Sequence, residues 1–338
     1  MSVTIEELAR QLNLAVSTVS KALNGYSDIS AATRQRVLET AQAQGYHPNT
    51  AARNLRRQRT EKIGVVVNYP INIVDDYLAE LIPGAAAAAE QADYNLILYT
   101  SVAHHPERIS KICRAREVDG LLLLWPPQLE RTVALMAEEQ MPYIVLPRRV
   151  SLPGISYIAT DHVSSGRQLT EHLLALGHTR IGFTTYPEVY ETNTDRFAGY
   201  QAALAAAGIP FDEALVVETR AQDPGNGEAI LQTLLTLPEP PTAILCFNDP
   251  MAMRVLAAAK ARGLRVPEDL SITGHDGILT SAMTTPALTT ARQPIPAIGR
   301  LAVQTLLAHI ANSELPPSQH LLPIQLVVRG STAERKKA

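Results

Sequence analysis

From Lys62 onward, short β-rich runs alternate with helical stretches, and no other feature of the chain narrows its fold so far. KIGVVVN, YNLILYT, GLLLLW, YIVLP and GISYIAT come first, with LAELIPGAAAAAEQ and LERTVALMAEEQ among them. TRIGFTT, ALVVE, TAILCFN and LSITGHD then restart the series, separated by stretches such as TEHLLALG and PMAMRVLAAAKARG. Strands joined through helices pair in parallel, so two consecutive series predict a C-terminal α/β body of two doubly wound parallel-sheet subdomains. The Ala-rich stretch at 85–90 reads as helix packing, within the body or at a subunit interface.

The first 60 residues follow a different pattern. Thr4 and Glu7 form a capping box, so a helix is expected to start there, with Ile5, Leu8, Ala9 and Leu12 at helical spacing. Asn13 suits a left-handed stop. Val16, Val19, Ala22 and Leu23 form the next apolar set. A third helix is expected from about Ser30 to Gln44, turning Val37, Leu38 and Ala41 inward and stopping at Gly45. The sequence thus predicts an N-terminal all-α helix-turn-helix head. Residues 1–60 carry eight Lys/Arg against four acids, leaving 22 bases and 29 acids for the rest. A basic head on an acidic body points the head at a polyanion.

In a helix-turn-helix the second helix enters the major groove of DNA. Val16, Ser17 and Lys21 lie at its start: Lys21 can donate to guanine and Val16 can touch a thymine methyl. Thr18, Ser20 and Asn24 are placed for phosphates, and Thr4 joins the DNA-facing set. Beyond the head, Asn49 can cap a helix over TAARNLRR, which at about eight residues is too short to hold by itself. Asn49, Ala52, Arg53, Leu55 and Arg56 are the hinge candidates. Leu55 would wedge between base steps in the minor groove, with the arginines near phosphates.

In open parallel sheets, ligands bind beyond the carboxyl ends of strands, and the cleft between two lobes is the default pocket. The strand ends supply Asn68, Thr100, Trp125, Arg148, Arg149, Asp161, Asn248, Asp249 and Asp276. Amides, carboxylates and guanidinium groups suit vicinal hydroxyls, since each hydroxyl both donates and accepts. Tyr77 and Trp125 are candidates for an aromatic wall. A strand-end Asp or Asn equally well caps the helix that follows.

Within a chain of 338 residues that is 46% apolar, no apolar run is long enough to span a bilayer. MSVTIEELAR lacks the charged and apolar regions of an export signal, so a cytoplasmic location is expected. Cys113 and Cys246 sit in or beside apolar stretches and read as buried thiols. There is no G-x-G-x-x-G, P-loop, G-x-S-x-G or H-E-x-x-H motif, so neither an enzyme nor a cofactor or metal is expected.

The ordered series TVSKALNG, GYHPNTAARNLRRQRTEKIGVVV, LTEHLLALGHTRIGF, FAGYQAALAAAGIP, PTAILCFNDPMA, LRVPEDLSITGHDGI, PALTTARQP and LVVRGSTA resembles the lac repressor/gal repressor (LacI–GalR) family of bacterial transcription regulators along essentially the whole chain. The resemblance implies a helix-turn-helix domain over 1–47, a hinge helix and linker over 48–61, and an effector-binding and dimerisation domain over 62–338. That last domain would be periplasmic-binding-protein-like, with crossovers between lobes near 159–163 and 290–294. It implies a repressor acting as a homodimer on a pseudo-palindromic double-stranded operator, bound to the nucleoid when engaged. The effector would be a mono- or oligosaccharide, with a purine as the alternative, and the same architecture accommodates a corepressor. Leu55 matches the family's intercalating leucine. Arg196, shortly before Gly199-Tyr200, joins Arg149, Asp161, Asn248, Asp249 and Asp276 as effector contacts. Ala15 stands where the family has a capping Ser or Thr, Asn13 where it has a turn glycine. His275-Asp276-Gly277 keeps one aspartate of the usual pair.

A transport binding protein with the same two lobes would need an export signal and no helix-turn-helix, the reverse of what stands here. Replacing Leu55 by Ala should weaken specific DNA binding, measured by band shift, and leave nonspecific binding nearly intact. Equal loss of both would remove the wedge.

Overall fold

The computed structural model describes residues 3–46, 59–67, 76–100, 106–126, 128–186, 191–219 and 226–335. The chain divides into two compact units, residues 1–61 and 62–338.

In the first unit, α1 (Ile5–Leu12) begins at the capping box: Glu7 N–H donates to Thr4 Oγ1 at 3.3 Å, and Thr4 N–H donates to Glu7 Oε2 at 2.8 Å. Asn13 ends it with φ +51°. After this turn α2 (Val16–Leu23) starts at Ala15, which has no side-chain oxygen for the cap. α3 (Ala31–Ala43) starts at Ser30, whose Oγ accepts Thr33 N–H. Leu8, Ala9, Leu12, Val19, Ala22, Val37 and Ala41 form the core. Leu38 departs from the expected inward set: it is exposed, because the three short helices have room for only one stripe of α3, set by Val37 and Ala41. Arg36 Nη2 donates to the Leu12 carbonyl at 2.6 Å, satisfying an orphan acceptor at the end of α1.

The second unit holds two six-stranded sheets. The first sheet runs β11-β5-β4-β3-β1-β2, built from β1 (Lys62–Val67), β2 (Asn95–Tyr99), β3 (Gly120–Leu124), β4 (Tyr143–Leu146), β5 (Tyr157–Thr160) and β11 (Gln319–Leu322), all parallel. The second runs β12-β10-β9-β8-β6-β7, from β6 (Ile181–Thr185), β7 (Val216–Glu218), β8 (Ala243–Leu245), β9 (Ser271–Asp276), β10 (Thr289–Arg292) and β12 (Gln325–Val327). β12 is antiparallel to β10, the exception to the expected parallel order. The described helices of this unit are α4 (Asp76–Glu90), α5 (Pro106–Arg114), α6 (Leu129–Glu138), α7 (His162–Ala175), α8 (Glu191–Ala206), α9 (Asn226–Leu235), α10 (Asp249–Ala261) and α11 (Ile295–Ala311).

β10, β11 and β12 are absent from the sequence expectation. TTAR, QHLL and QLV are short, none with more than two large apolar residues, and their pairing rests on neighbours rather than on an apolar run. The chain passes between sheets after β5, after β10 and between β11 and β12. Of the Ala-rich stretch, Ala85, Ala88 and Ala89 pack into the first lobe's core with Ile298, Ala302 and Leu306 of α11. Cys113 and Cys246 are buried free thiols. Among the described residues no helix is long and apolar enough to cross a membrane.

In the second lobe α7 and α8 meet backbone to backbone. A Cβ at Gly166 would lie 2.1 Å from the Arg196 carbonyl oxygen, and one at Gly199 would lie 2.1 Å from that of Val163. Near the C-terminus, Thr332 and Ala333 are each held by a histidine. His172 Nε2 is 3.0 Å from Thr332 Oγ1, and His178 Nε2–H donates to the Ala333 carbonyl at 3.0 Å while its Nδ1 accepts from Thr242. Burial lowers the pKa of both rings, with His178 adding to the effect on His172.

Substituting Gly166 by Ala should force α7 and α8 apart and reduce stability by ~1–3 kcal/mol in urea unfolding; an unchanged midpoint would show that the crossing yields freely. For the histidines the sign is fixed by linkage. Their folded pKa lies below the unfolded value, so the unfolded chain binds more protons below about pH 6.5. The stability is fully present above that pH and is lost as pH falls through it. Melting temperatures from about pH 7.5 down to about pH 5.5 should fall, and less steeply in His178→Gln. Equal slopes would mean that the ring titrates alike in both states.

Candidate functional site

The carboxyl ends of strands from both sheets carry a polar cluster, the candidate site of the second unit. It is built around Arg196, a buried guanidinium on α8. Its Nη1–H donates to the Phe247 carbonyl at 2.6 Å, its Nε–H to His162 Nδ1 at 3.3 Å, and its Nη2–H to Asp276 Oδ1 at 3.3 Å. The guanidinium carbon also lies 4.4 Å above the Phe247 ring centroid, a cation–π contact. Burial lowers the Arg196 pKa and raises that of Asp276, and each group opposes the shift of the other.

Asp276 ends β9 with φ +109°, a conformation that costs a non-glycine residue roughly 1–3 kcal/mol. Three groups hold it there, all through Oδ1: Arg196, Gln293 Nε2–H at 2.7 Å, and His275 with Nδ1 at 2.9 Å. His275 Nε2 is 2.7 Å from Ser165 Oγ, and the rings of His275 and His162 are 5.4 Å apart. Thr160, the last residue of β5, donates its hydroxyl to Gln293 Oε1 at 2.8 Å, which joins the first sheet to this network. Both histidines are buried, and burial with the nearby Arg196 keeps their pKa values well below the usual one.

Two ion pairs reach from the loop after β4 in the first lobe to α8 in the second. Arg149 Nη2 lies 2.9 Å from Asp195 Oδ1 and its Nε 3.4 Å from Oδ2, a forked contact. Arg148 Nη1 lies 3.4 Å from Glu191 Oε2. On the other side, Ile278 packs in the first lobe's core, Leu279 N–H donates to Glu80 Oε1 at 2.8 Å, and Thr280 donates its hydroxyl to Asp76. The segment that follows Asp276 therefore ties the second lobe to α4 of the first.

The expected site residues fare differently. Arg196 and Asp276 are joined directly, with Asn248 adjoining the Phe247 that binds Arg196. Tyr77 and Trp125 form an edge-to-face pair with centroids 5.3 Å apart. Asp161 accepts Ser164 N–H at 2.9 Å and Asn248 accepts Met251 N–H at 2.9 Å, so both cap the following helix. Asp249 is fully buried: Oδ1 accepts the Thr290 hydroxyl and Oδ2 the Ile278 N–H, and burial pushes its pKa up to about 8. This carboxyl group braces the turn after β9. Asn68 lies outside the described residues. Sequence reasoning missed His162, Asp195, Phe247, His275 and Gln293 as members of the cluster; each directly adjoins a residue it did select or stands in a quoted motif. A separate open groove of about 750 Å³ between α5 and α6, rimmed by Glu107, Lys111, Arg114, Arg131 and Glu138, contains none of these groups.

In the head, Val16, Ser17 and Lys21 lie on the exposed face of α2. Lys21 pairs with Asp28, which raises the lysine's pKa and lowers that of the aspartate. Asn24 Nδ2 donates to the Ser20 carbonyl at 2.7 Å, and Thr4 is engaged in its capping box. Thr18 and Ser20 are half-buried. The hinge candidates Asn49, Ala52, Arg53, Leu55 and Arg56 lie outside the described residues.

The head and body each match a family model: bacterial regulatory proteins, lacI family, over residues 4–49, and periplasmic binding protein-like domain over residues 170–332. The chain is 32% identical over 336 residues to the HTH-type transcriptional repressor CytR of Escherichia coli (strain K12), covering 97% of this chain and 96% of that one. Its structure is similar to that of the lac repressor dimer bound to operator and the anti-inducer ONPF, with a TM-score of 0.85, 26% identity, and 98% and 100% of the two chains covered. It is also similar to the transcriptional regulator CelR–cellobiose complex, with a TM-score of 0.74, 28% identity, and 97% and 99% covered. A helix-turn-helix head and two-lobed body shared end to end with such relatives place the chain in the lacI family, as an effector-controlled DNA-binding transcription regulator and not an enzyme.

Proposed function

We propose that this protein is a repressor, a homodimer on a pseudo-palindromic operator, whose DNA affinity is set by a mono- or oligosaccharide held between the lobes of residues 62–338. It acts in the bacterial cytoplasm, on the nucleoid when bound. The observation that carries the reading is the buried Arg196–Asp276 pair, built where strands of both sheets end and braced by residues of both lobes. The cellobiose named with CelR and the operator named with the lac repressor support the two partner classes.

In the head, Val16, Ser17 and Lys21 read bases, with Thr4, Thr18, Ser20 and Asn24 near phosphates. Residues 48–61 link head to body; Asn49, Ala52, Arg53, Leu55 and Arg56 belong to the DNA-binding set, with Leu55 wedged into the minor groove and the arginines near phosphates. Lys21 has to exchange Asp28 for a base, a small cost because the pair is exposed to water. In the body, Arg149, Asp161, Arg196, Asn248 and Asp276 supply hydroxyl contacts, Tyr77 and Trp125 a ring-binding wall, Asn68 a further amide, and Asp249 the brace beneath.

Coupling follows from the segment after Asp276. A ligand that bonds Asp276 pulls on Gly277–Thr280, and through Glu80 and Asp76 on α4. The effector shifts the lobes only by as much as its affinities for the two arrangements differ.

A thermal-shift panel of sugars and purine nucleosides tests the reading, with operator release as the second assay. A ligand at a hundredfold its dissociation constant adds roughly 2.7 kcal/mol to the folded state. Asp276→Asn should weaken a stabilising sugar about 10–100-fold, the worth of a hydrogen bond to a charged group, without weakening operator binding in its absence. Unchanged sugar affinity would remove Asp276 from the site.

A further inference from the structure

Resting on that effector reading, we propose that Asp195 is a specificity-determining residue: by neutralising Arg149 it restricts the cleft to uncharged, hydroxyl-bearing ligands and excludes phosphorylated ones. Three guanidinium groups project where the lobes meet, and each is already matched by one carboxylate. Arg148 faces Glu191, Arg149 faces Asp195 and Arg196 faces Asp276. Asp76, Glu80 and Asp161 add further carboxylates, which among the described residues accept from the Thr280 hydroxyl and the N–H groups of Leu279 and Ser164. A nearby arginine, Arg292, lies over Gly277 and is exposed to solvent.

Apart from the exposed Arg292, a phosphate entering this surface meets no unmatched cation among these groups. A phosphate that accepts from the remaining, half-exposed N–H groups of Arg149 would lie beside the Asp195 carboxylate, placing two anions side by side. An uncharged polyol meets no such obstacle. Its hydroxyl hydrogens reach the carboxylate of a pair and its oxygens accept from the guanidinium, so both members are used without separating them. The forked Arg149–Asp195 contact spans the two lobes, so it also stands at the point where closure is felt.

The test measures thermal unfolding of the full-length wild type, Asp195→Asn and Asp195→Ser in inorganic phosphate, against sodium chloride of equal ionic strength. The same proteins are then compared in ribose against ribose 5-phosphate and glucose against glucose 6-phosphate. The wild type should show no phosphate-specific shift. Both variants, with Arg149 released, should respond to phosphate with a half-saturation at least about tenfold lower than any wild-type response. Adding Arg149→Gln to either variant should abolish the gain. A wild type stabilised by inorganic phosphate, or more by a phosphorylated sugar than by its parent, overturns the proposal, as does a pair of folded variants that ignore phosphate. If the variants respond to phosphate and no uncharged sugar or nucleoside acts on any protein, the charge matching stands and the effector reading fails.

Discussion

Burying the guanidinium of Arg196 is the constraint around which the second lobe is organised. Removing such a group from water costs several kcal/mol, which only closely placed acceptors can offset. Here a carbonyl from the end of β8, an imidazole from the start of α7 and a carboxylate from the end of β9 supply them. Their convergence requires α8 to lie against α7 at backbone distance, and Gly166 and Gly199 make that approach possible. Asp276 is held in a conformation most residues avoid because three donors converge on one of its oxygens. The packing of the helices, the strain at the strand end and the polar cluster are thus one arrangement.

The two lobes are joined by different physics. Most of their apolar cores are separate, and what crosses between them is largely polar: two arginine–carboxylate pairs, the Thr160–Gln293 bond and the contacts of Leu279 and Thr280. Among the described residues Ile278 is an apolar exception. Polar contacts exchange with water or ligand at small net cost. Buried apolar area does not, so each lobe is expected to move as a body.

The expected elements that the structure contains are those whose burial pattern is local. The Thr4 capping box, the Asn13 stop and the apolar runs of β1, β3 and β4 depend on residues a few positions apart. β10, β11 and β12 lack such a pattern, because their partners lie far along the chain. Leu38 was assigned to the core by its neighbours' spacing, but a three-helix head buries a narrower stripe than that spacing allows. In the cleft, Arg196 and Asp276 came from motif resemblance and strand-end reasoning. Gln293, His162 and Asp195 did not, since nothing in their own neighbourhoods shows that they share one cluster.

By itself, the sequence determined the helix-turn-helix, the two alternating α/β series and membership of the lacI family. These follow from short-range periodicity, capping and ordered motifs, whose physics acts within a few residues. Only the tertiary structure decided which carboxylate faces which arginine. It set Asp249 in a fully buried position bonded to Thr290 and Ile278 and made Asp195 the partner of Arg149. Electrostatic pairing depends on distance and burial in three dimensions, and residues 149 and 195 meet only once two lobes have folded and come together.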